Sequence, residues 1–333
     1  MNFRKRRFVQ GLSAFGTSLL CGRAGAQAPA WKPTKAVEFI VPAGPGGALD
    51  AVARMMKQGF DTTGILGQPF IVIDKPGGNG KIAFNTLQQR EGDGNTLSIN
   101  THGYLSNYIG GNLDILPHRD LTPVCVLLDE TITTVVRPDS PFKSVQELVA
   151  QFRKKPESLS IAVAASVGNH IHVAIAKALK AGGVDISKLT VVAFRSSGES
   201  LSAMIGGNVD VVAASTPNVV NLFQAGRIKL LAVSSGERLG GALANVPTWK
   251  EQGIDSVFQS ALGVVGPKGM TAAQLAFWEG AYRQVVATEE WKRQLEFNQS
   301  KPHFLGHAEA LKFYEEEYGQ MRTLLQEMGL AKR

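Results

Sequence analysis

One pattern recurs along this chain: a short apolar run, a loop of small residues, then a helical periodicity. Residues 37–41 break into Pro42-Ala43-Gly44-Pro45-Gly46-Gly47 and resume as a helical pattern over 49–60. Residues 70–73 lead through Asp74-Lys75-Pro76-Gly77-Gly78-Asn79-Gly80 to a helix over 82–89, and 96–100 lead into Thr101-His102-Gly103. The rhythm restarts at 159–164, whose loop Ala165-Ser166-Val167-Gly168-Asn169 opens a helix over 170–180. It repeats at 190–194, where Arg195-Ser196-Ser197-Gly198-Glu199 precedes a helix over 200–205. Strand, loop and helix in this order build a parallel sheet covered by helices, so the fold class is α/β.

The first residues belong to a different category. Arg4, Lys5, Arg6 and Arg7 precede an apolar run over 8–20 that is too short to span a bilayer, and Ala24-Gly25-Ala26 offers a small-residue cleavage site. This is the order of a secretory signal peptide over 1–26. Arg6-Arg7-Phe8-Val9 is compatible with twin-arginine export. Removing the signal takes away five basic residues and no acid, so the formal charge of +7 falls to +2. The short basic run Arg153-Lys154-Lys155 reads as a solvated helix end, which argues against a nucleic-acid partner. Of two cysteines only Cys125 survives, in an apolar run, where a buried inert thiol is expected.

Further elements complete the reading. Strands are expected over 121–127, 132–136, 209–214, 230–234 and 258–265. Ser144 with Glu147, and Thr271 with Gln274, mark helix starts of the capping-box type. Thr248 with Glu251 marks a short helix ending at Gly253, and a last amphipathic helix covers 308–328. Two α/β units therefore follow one another. They are either two sequential domains, or two lobes between which the chain crosses near 129–132 and returns near 255–258.

In an open parallel sheet the loops after the strands gather at one edge, where ligands bind. Four such loops here lack bulk, and each opens a helix whose N-terminal N–H groups and dipole favour an anion. Asp50, in the first turn after the first loop, matches that dipole or contacts a ligand. His170 and His172 are two apart, so they do not form the metal-binding pair of a His-x-x-x-His helix. A nucleotide site is poorly served: in Gly44-Pro45-Gly46-Gly47-Ala48-Leu49, Leu49 occupies the place of the third glycine. No Walker loop and no nucleophile elbow occurs in the sequence. No cofactor is implied.

The ordered set of motifs resembles a known family. It comprises Val41-Pro42, then Pro45-Gly46-Gly47-Ala48-Leu49-Asp50-Ala51-Val52-Ala53-Arg54, and Asp74-Lys75-Pro76-Gly77-Gly78-Asn79-Gly80. Leu121-Thr122-Pro123-Val124, Ser140-Pro141-Phe142-Lys143-Ser144, Gly206-Gly207-Asn208-Val209-Asp210, Ala225-Gly226-Arg227 and Val246-Pro247-Thr248 follow. Across essentially the whole exported chain this is similar to the extracytoplasmic receptors of tripartite tricarboxylate transporters, often called Bug proteins. The resemblance implies a two-lobed periplasmic-binding-protein fold (type II-like), each lobe a mostly parallel sheet flanked by helices. Lobe 1 is then 27–131 plus 256–333, and lobe 2 is 132–255. It implies a monomer that takes a small carboxylate, a di- or tricarboxylate, acidic amino acid or aromatic acid, and serves membrane subunits of a transporter, with no catalysis. Carried over by position, the ligand residues are Ala43, Gly44, Gly46, Gly47, Asp50, Asn79, Thr101, His102, Ser166, Gly168, Asn169, His172 and Arg195.

Three positions depart from the family's pattern. Ala43 stands where an aromatic residue is common, Phe194 replaces a tyrosine, and Ala214 replaces a polar or acidic residue. These changes suggest a wider, less polar cleft and a bulkier acid. An exported α/β enzyme and a sensor feeding a membrane kinase stay open as alternatives.

Overall fold

The structure, a computed structural model, describes residues 31–45 and 48–333. The expected export signal and the pair Gly46 and Gly47 lie outside the described residues. The chain runs through β1 (Val37–Val41), α1 (Ala48–Thr63), β2 (Phe70–Asp74), α2 (Lys81–Gln88), β3 (Thr96–Thr101), α3 (His102–Ile109) and a single turn, α4 (Pro117–Asp120). It continues as β4 (Thr122–Val136), α5 (Val145–Lys154), β5 (Ser160–Ala164), α6 (His170–Ala181), β6 (Thr190–Phe194), α7 (Ser197–Ile205), β7 (Val211–Ser215), α8 (Val220–Gln224) and β8 (Lys229–Val233). It closes with β9 (Gln259–Gly266), α9 (Ala272–Val286), α10 (Glu289–Asn298), β10 (Lys301–Leu305) and α11 (His307–Glu327).

Local chemistry sets several helix boundaries. Ser144 accepts the Glu147 N–H at 3.3 Å and starts α5, which buries Val145, Leu148, Val149 and Phe152 at positions i, i+3, i+4 and i+7. Thr271 and Gln274 form the reciprocal pair expected at the start of α9. Thr248 and Glu251 make the same two bonds, 2.8 and 3.0 Å, but the segment they open stays a run of turns.

The strands pair as β2-β1-β3-β9-β4-β7-β5-β6, with β10 and β8 also on β4. The expected parallel ladders are present: β1 with β2 and β3, and β5 with β6 and β7. The strands that cross between them run the other way, so each sheet is mixed. The expected pair of strands over 121–127 and 132–136 is in fact one strand of 15 residues, β4. Its first part pairs with β9 as far as Thr131, opposite Gln259, and its last part pairs with β7 from Ile132, opposite Ser215. The polar pair Asp129-Glu130 interrupts the apolar run, and the ladder carries through it. The strand β10 escapes the sequence reading because Lys301, Pro302 and His303 do not alternate as strand residues do.

The second crossing is clamped to the first by Ser234. Its Oγ accepts the Ile132 N–H at 3.0 Å and donates to the Phe258 carbonyl at 2.5 Å. Its N–H donates to the Ile132 carbonyl, and its carbonyl accepts the Phe258 N–H, both at 2.8 Å. On the first sheet, α1 buries Ala53, Met56 and Phe60 against the layer that holds Trp278 and Tyr282 of α9, with the Phe60 and Tyr282 rings 5.0 Å apart. Cys125 is fully buried in that layer, and burial pushes its thiol pKa up, as expected for an inert group.

Gly263, in the middle of β9, tests how tightly the crossing strands are packed. A Cβ there would stand 2.3 Å from the Cys125 carbonyl oxygen and 2.7 Å from the Tyr314 hydroxyl. Because one of these is backbone, Gly263→Ala is expected to destabilise the protein by about 1–3 kcal/mol or more. Urea denaturation measures this as a lower midpoint.

Candidate functional site

A cavity of about 350 Å³ lies where the two sheets meet. From one side come Ala48, Leu49 and Val52 of α1, Thr101 at the end of β3, Gly103 and Tyr104 of α3, Leu128 and Glu130 of β4, and Leu262 of β9. From the other come Ala165, Ser166, Asn169, His170, Ser197 and Ser215. The segment between α10 and β10 adds Asn298 and Ser300.

Four helices of eight residues or more begin at this cavity: α1, α3, α6 and α7. Their first N–H groups have no partner inside the helix, so they are donors for an anion. Three starts are capped from the preceding residue. Thr101 Oγ1 accepts the Gly103 N–H at 3.1 Å, Asn169 Oδ1 accepts the His172 N–H at 3.0 Å, and Ser196 Oγ accepts the Glu199 N–H at 3.2 Å. Among the described residues no Lys or Arg lines the cavity, and Glu130 is the one charged side chain in its wall.

The backbone is strained around this space. The three non-glycine residues with positive φ among those described are Asn79 (52°), Ala165 (66°) and Gln299 (54°). Asn79 and Ala165 line the cavity, and Gln299 lies between two residues that do. The left-handed conformation costs a residue with a Cβ about 1–2 kcal/mol, and such costs cluster at functional sites.

The residues expected from sequence divide accordingly. Asn79, Thr101, Ser166 and Asn169 meet at the cavity. Ala43 and Gly44 do not line it: Ala43 packs on the apolar layer beneath β1, and Gly44 has no atom within 4 Å of where a Cβ would stand. Asp50 is buried in the first turn of α1, ion-paired with Arg54 at 2.8 Å, and Arg54 reaches to 3.8 Å from Asp74 at the end of β2. His102 is fully buried, its ring packed against those of Phe258, Phe313 and Tyr314. Its Nδ1 accepts the Ala261 N–H at 2.8 Å and its Nε2 lies 3.2 Å from Glu317. Gly168 takes φ of 86° to turn the chain into α6 and faces Leu325 and Leu330, away from the cavity. His172, the third residue of α6, folds back so that Nδ1 accepts the Gly168 N–H at 3.0 Å. Arg195 is 91% exposed and pairs with Glu199 one turn along, so its charge is turned to solvent.

The three departures that suggested a wider cleft are not in its wall either. Phe194 is half-buried against the core beneath β7, and Ala214 is fully buried inside β7. What gives the cavity an apolar side is Leu49, Val52, Met55, Leu262 and Leu295. The sequence reading passed over Glu130, inside the strand that crosses between the sheets. It also passed over Tyr104 and Asn107, on a helix with no start signal beyond Thr101.

The family model described as tripartite tricarboxylate transporter family receptor matches residues 52–330. The chain belongs to that receptor family. A relative from Cupriavidus necator, the UPF0065 protein in the gbd 5' region, is 27% identical over 333 residues, 99% of each chain. Among solved structures, an R. palustris protein with adipate gives a TM-score of 0.77 at 24% identity, covering 90% of this receptor and 99% of that chain. MatC from Rhodopseudomonas palustris with bound malate gives 0.72 at 22% identity, covering 88% and 99%. These likenesses show the two-lobed periplasmic-binding-protein fold. Among the described residues of the receptor no helix is long and apolar enough to cross a membrane.

Burial pushes His172 down from its ordinary 6.5 to about 4. Its Nδ1 already accepts the Gly168 N–H, so a proton placed there would also set two donors against each other. The unfolded chain therefore binds a proton that the folded receptor refuses between about pH 6.5 and 4. Stability from this group is complete above pH 6.5 and is lost as pH falls through that window, by about 3 kcal/mol in all. Thermal melts from pH 7 to 4 are expected to show the loss, and His172→Gln, which keeps an acceptor without titrating, to make it shallower.

Proposed function

We propose that this chain is a periplasmic solute receptor that captures a small carboxylate between its lobes and delivers it, as a monomer, to the membrane subunits of a tripartite transporter. The observation that carries the reading is the meeting of four helix N-termini on one cavity whose wall, among the described residues, holds no Lys or Arg. Such donors bind a carboxylate through N–H groups and dipoles without a counter-charge. The volume is at the small end of the range for small-molecule sites, roughly 300–1,000 Å³. The malate and adipate bound to the two R. palustris neighbours belong to the same chemical class.

The lobe boundary in this reading falls at Thr131 and Ile132 on β4 and near Ser256 on the return, leaving 132–255 as the second lobe. A ligand that touches both walls favours the closed arrangement over the open one, and closure follows by population shift. Transporter subunits then read the closed shape.

A thermal-shift screen with malate, adipate, citrate, glutamate, benzoate and terephthalate tests the reading. A ligand at 100 times its Kd adds about 2.7 kcal/mol, a rise of several degrees. At least one of these carboxylates is expected to produce it. Ser166→Trp, which fills the cavity from a partly exposed position, is expected to abolish the rise while the unliganded Tm stays within about 2 °C. No shift from any carboxylate, or a dinucleotide found bound by native mass spectrometry, overturns the reading.

A further inference from the structure

The wall of the cavity carries one full charge among the described residues, and it is negative. Thr101 of β3 and Leu128 of β4 both lie opposite Leu262 of β9, and Glu130 is the next residue on the same face of β4 as Leu128. Its carboxylate therefore stands beside the start of α3, in a space whose other polar side chains are those of Asn, Ser, Thr, Tyr and His residues. Its side chain is only 15% exposed. Among the described residues, the one basic group within 4 Å is His170 Nε2 at 3.8 Å, beyond hydrogen-bond reach. The His170 ring is held over α3: a Cβ on Gly103 would come 3.0 Å from its Nδ1. A ligand made only of carboxylates would bring a second negative charge into a half-enclosed space that already holds Glu130, where like charges are poorly screened.

From this we infer that Glu130 selects a ligand that carries a cationic nitrogen as well as a carboxylate, a zwitterion of zero net charge. The ligand's carboxylate takes the helix N-termini, its ammonium faces Glu130, and an apolar body lies along Leu49, Val52 and Leu262. The inference rests on the carboxylate-receptor reading and narrows it.

Isothermal titration calorimetry on the purified protein tests it with matched pairs: 4-aminobutanoate against succinate, 6-aminohexanoate against adipate, and phenylalanine against 3-phenylpropanoate. In at least one pair the amine-bearing member is expected to bind ten times more tightly or better. Glu130→Gln keeps the shape of the side chain and is expected to lower that affinity at least tenfold, with the affinity for the partner acid unchanged or raised. A wild-type protein that prefers the amine-free acid in every pair overturns the inference and leaves the carboxylate receptor standing. So does a Glu130→Gln protein, with an unchanged melt, that keeps its affinity for the amine. Binding of neither class overturns both.

Discussion

The fold depends on β4 being longer than either sheet needs. Fifteen residues in one extended run give the first sheet a central strand between β9 and β10, and give the second a central strand between β7 and β8. A backbone buried on both sides must pair its N–H and C=O groups throughout. The strand therefore changes partners at Thr131 and Ile132 without a gap, and Ser234 takes up the groups that the change of partner would strand. The cavity follows from this geometry. Both sheets offer their loop edges to one space because one strand runs through both, and Leu128 and Glu130 lie just before the change of partner.

Much of this was legible in sequence because it was local. Strand, glycine loop and capped helix are written in stretches of about 20 residues, and Ser144, Thr271 and Asn169 cap as their residue types suggest. Relations between distant segments were not legible. Two apolar runs separated by Asp129-Glu130 look like two strands until β9 is seen to pair through that polar pair as far as Thr131, with β7 taking over at Ile132. His102 and His172 sit at helix starts, where a side chain can face a ligand, yet each ring accepts a backbone N–H instead. Arg195 lies in a loop of the right kind, but an exposed guanidinium beside Glu199 meets a partner one turn along its own helix. In each case a neighbouring backbone group or a carboxylate satisfied the side chain before any ligand was needed.

The polarity of the site is held in the backbone. A lysine or arginine brought into a cavity of this size would have to lose water and find a partner when the ligand leaves. Helix N-termini carry their positive ends permanently and need no rearrangement, and Thr101, Asn169 and Ser196 hold them in place. The positive φ at Asn79, Ala165 and Gln299 fits the same economy. The Ala165 N–H is held to the Phe194 carbonyl at 2.7 Å, which ties the strained residue to the end of β6. The second lobe thereby presents Ser166 and the start of α6 from a fixed position.

In the proposed receptor mechanism, a site built this way changes what lobe closure has to accomplish. Donors that are already aimed need only be brought to one ligand from two sides, and the connections that allow this are two strand crossings clamped by Ser234. In that mechanism such connections favour bending about one line, because sliding the lobes past each other would break the β4 ladders. The ring of His170, at the start of α6, packs over Gly103 of α3, where a Cβ would come 3.0 Å from its Nδ1. The spacing between the two sides of the cavity thus depends on the continuity of β4 and on the lack of a side chain at Gly103, which itself lines the cavity. On the inference drawn above, selection among ligands that fit the size falls to the residues that differ in charge from the rest of the wall, and among the described residues Glu130 is the one the wall provides.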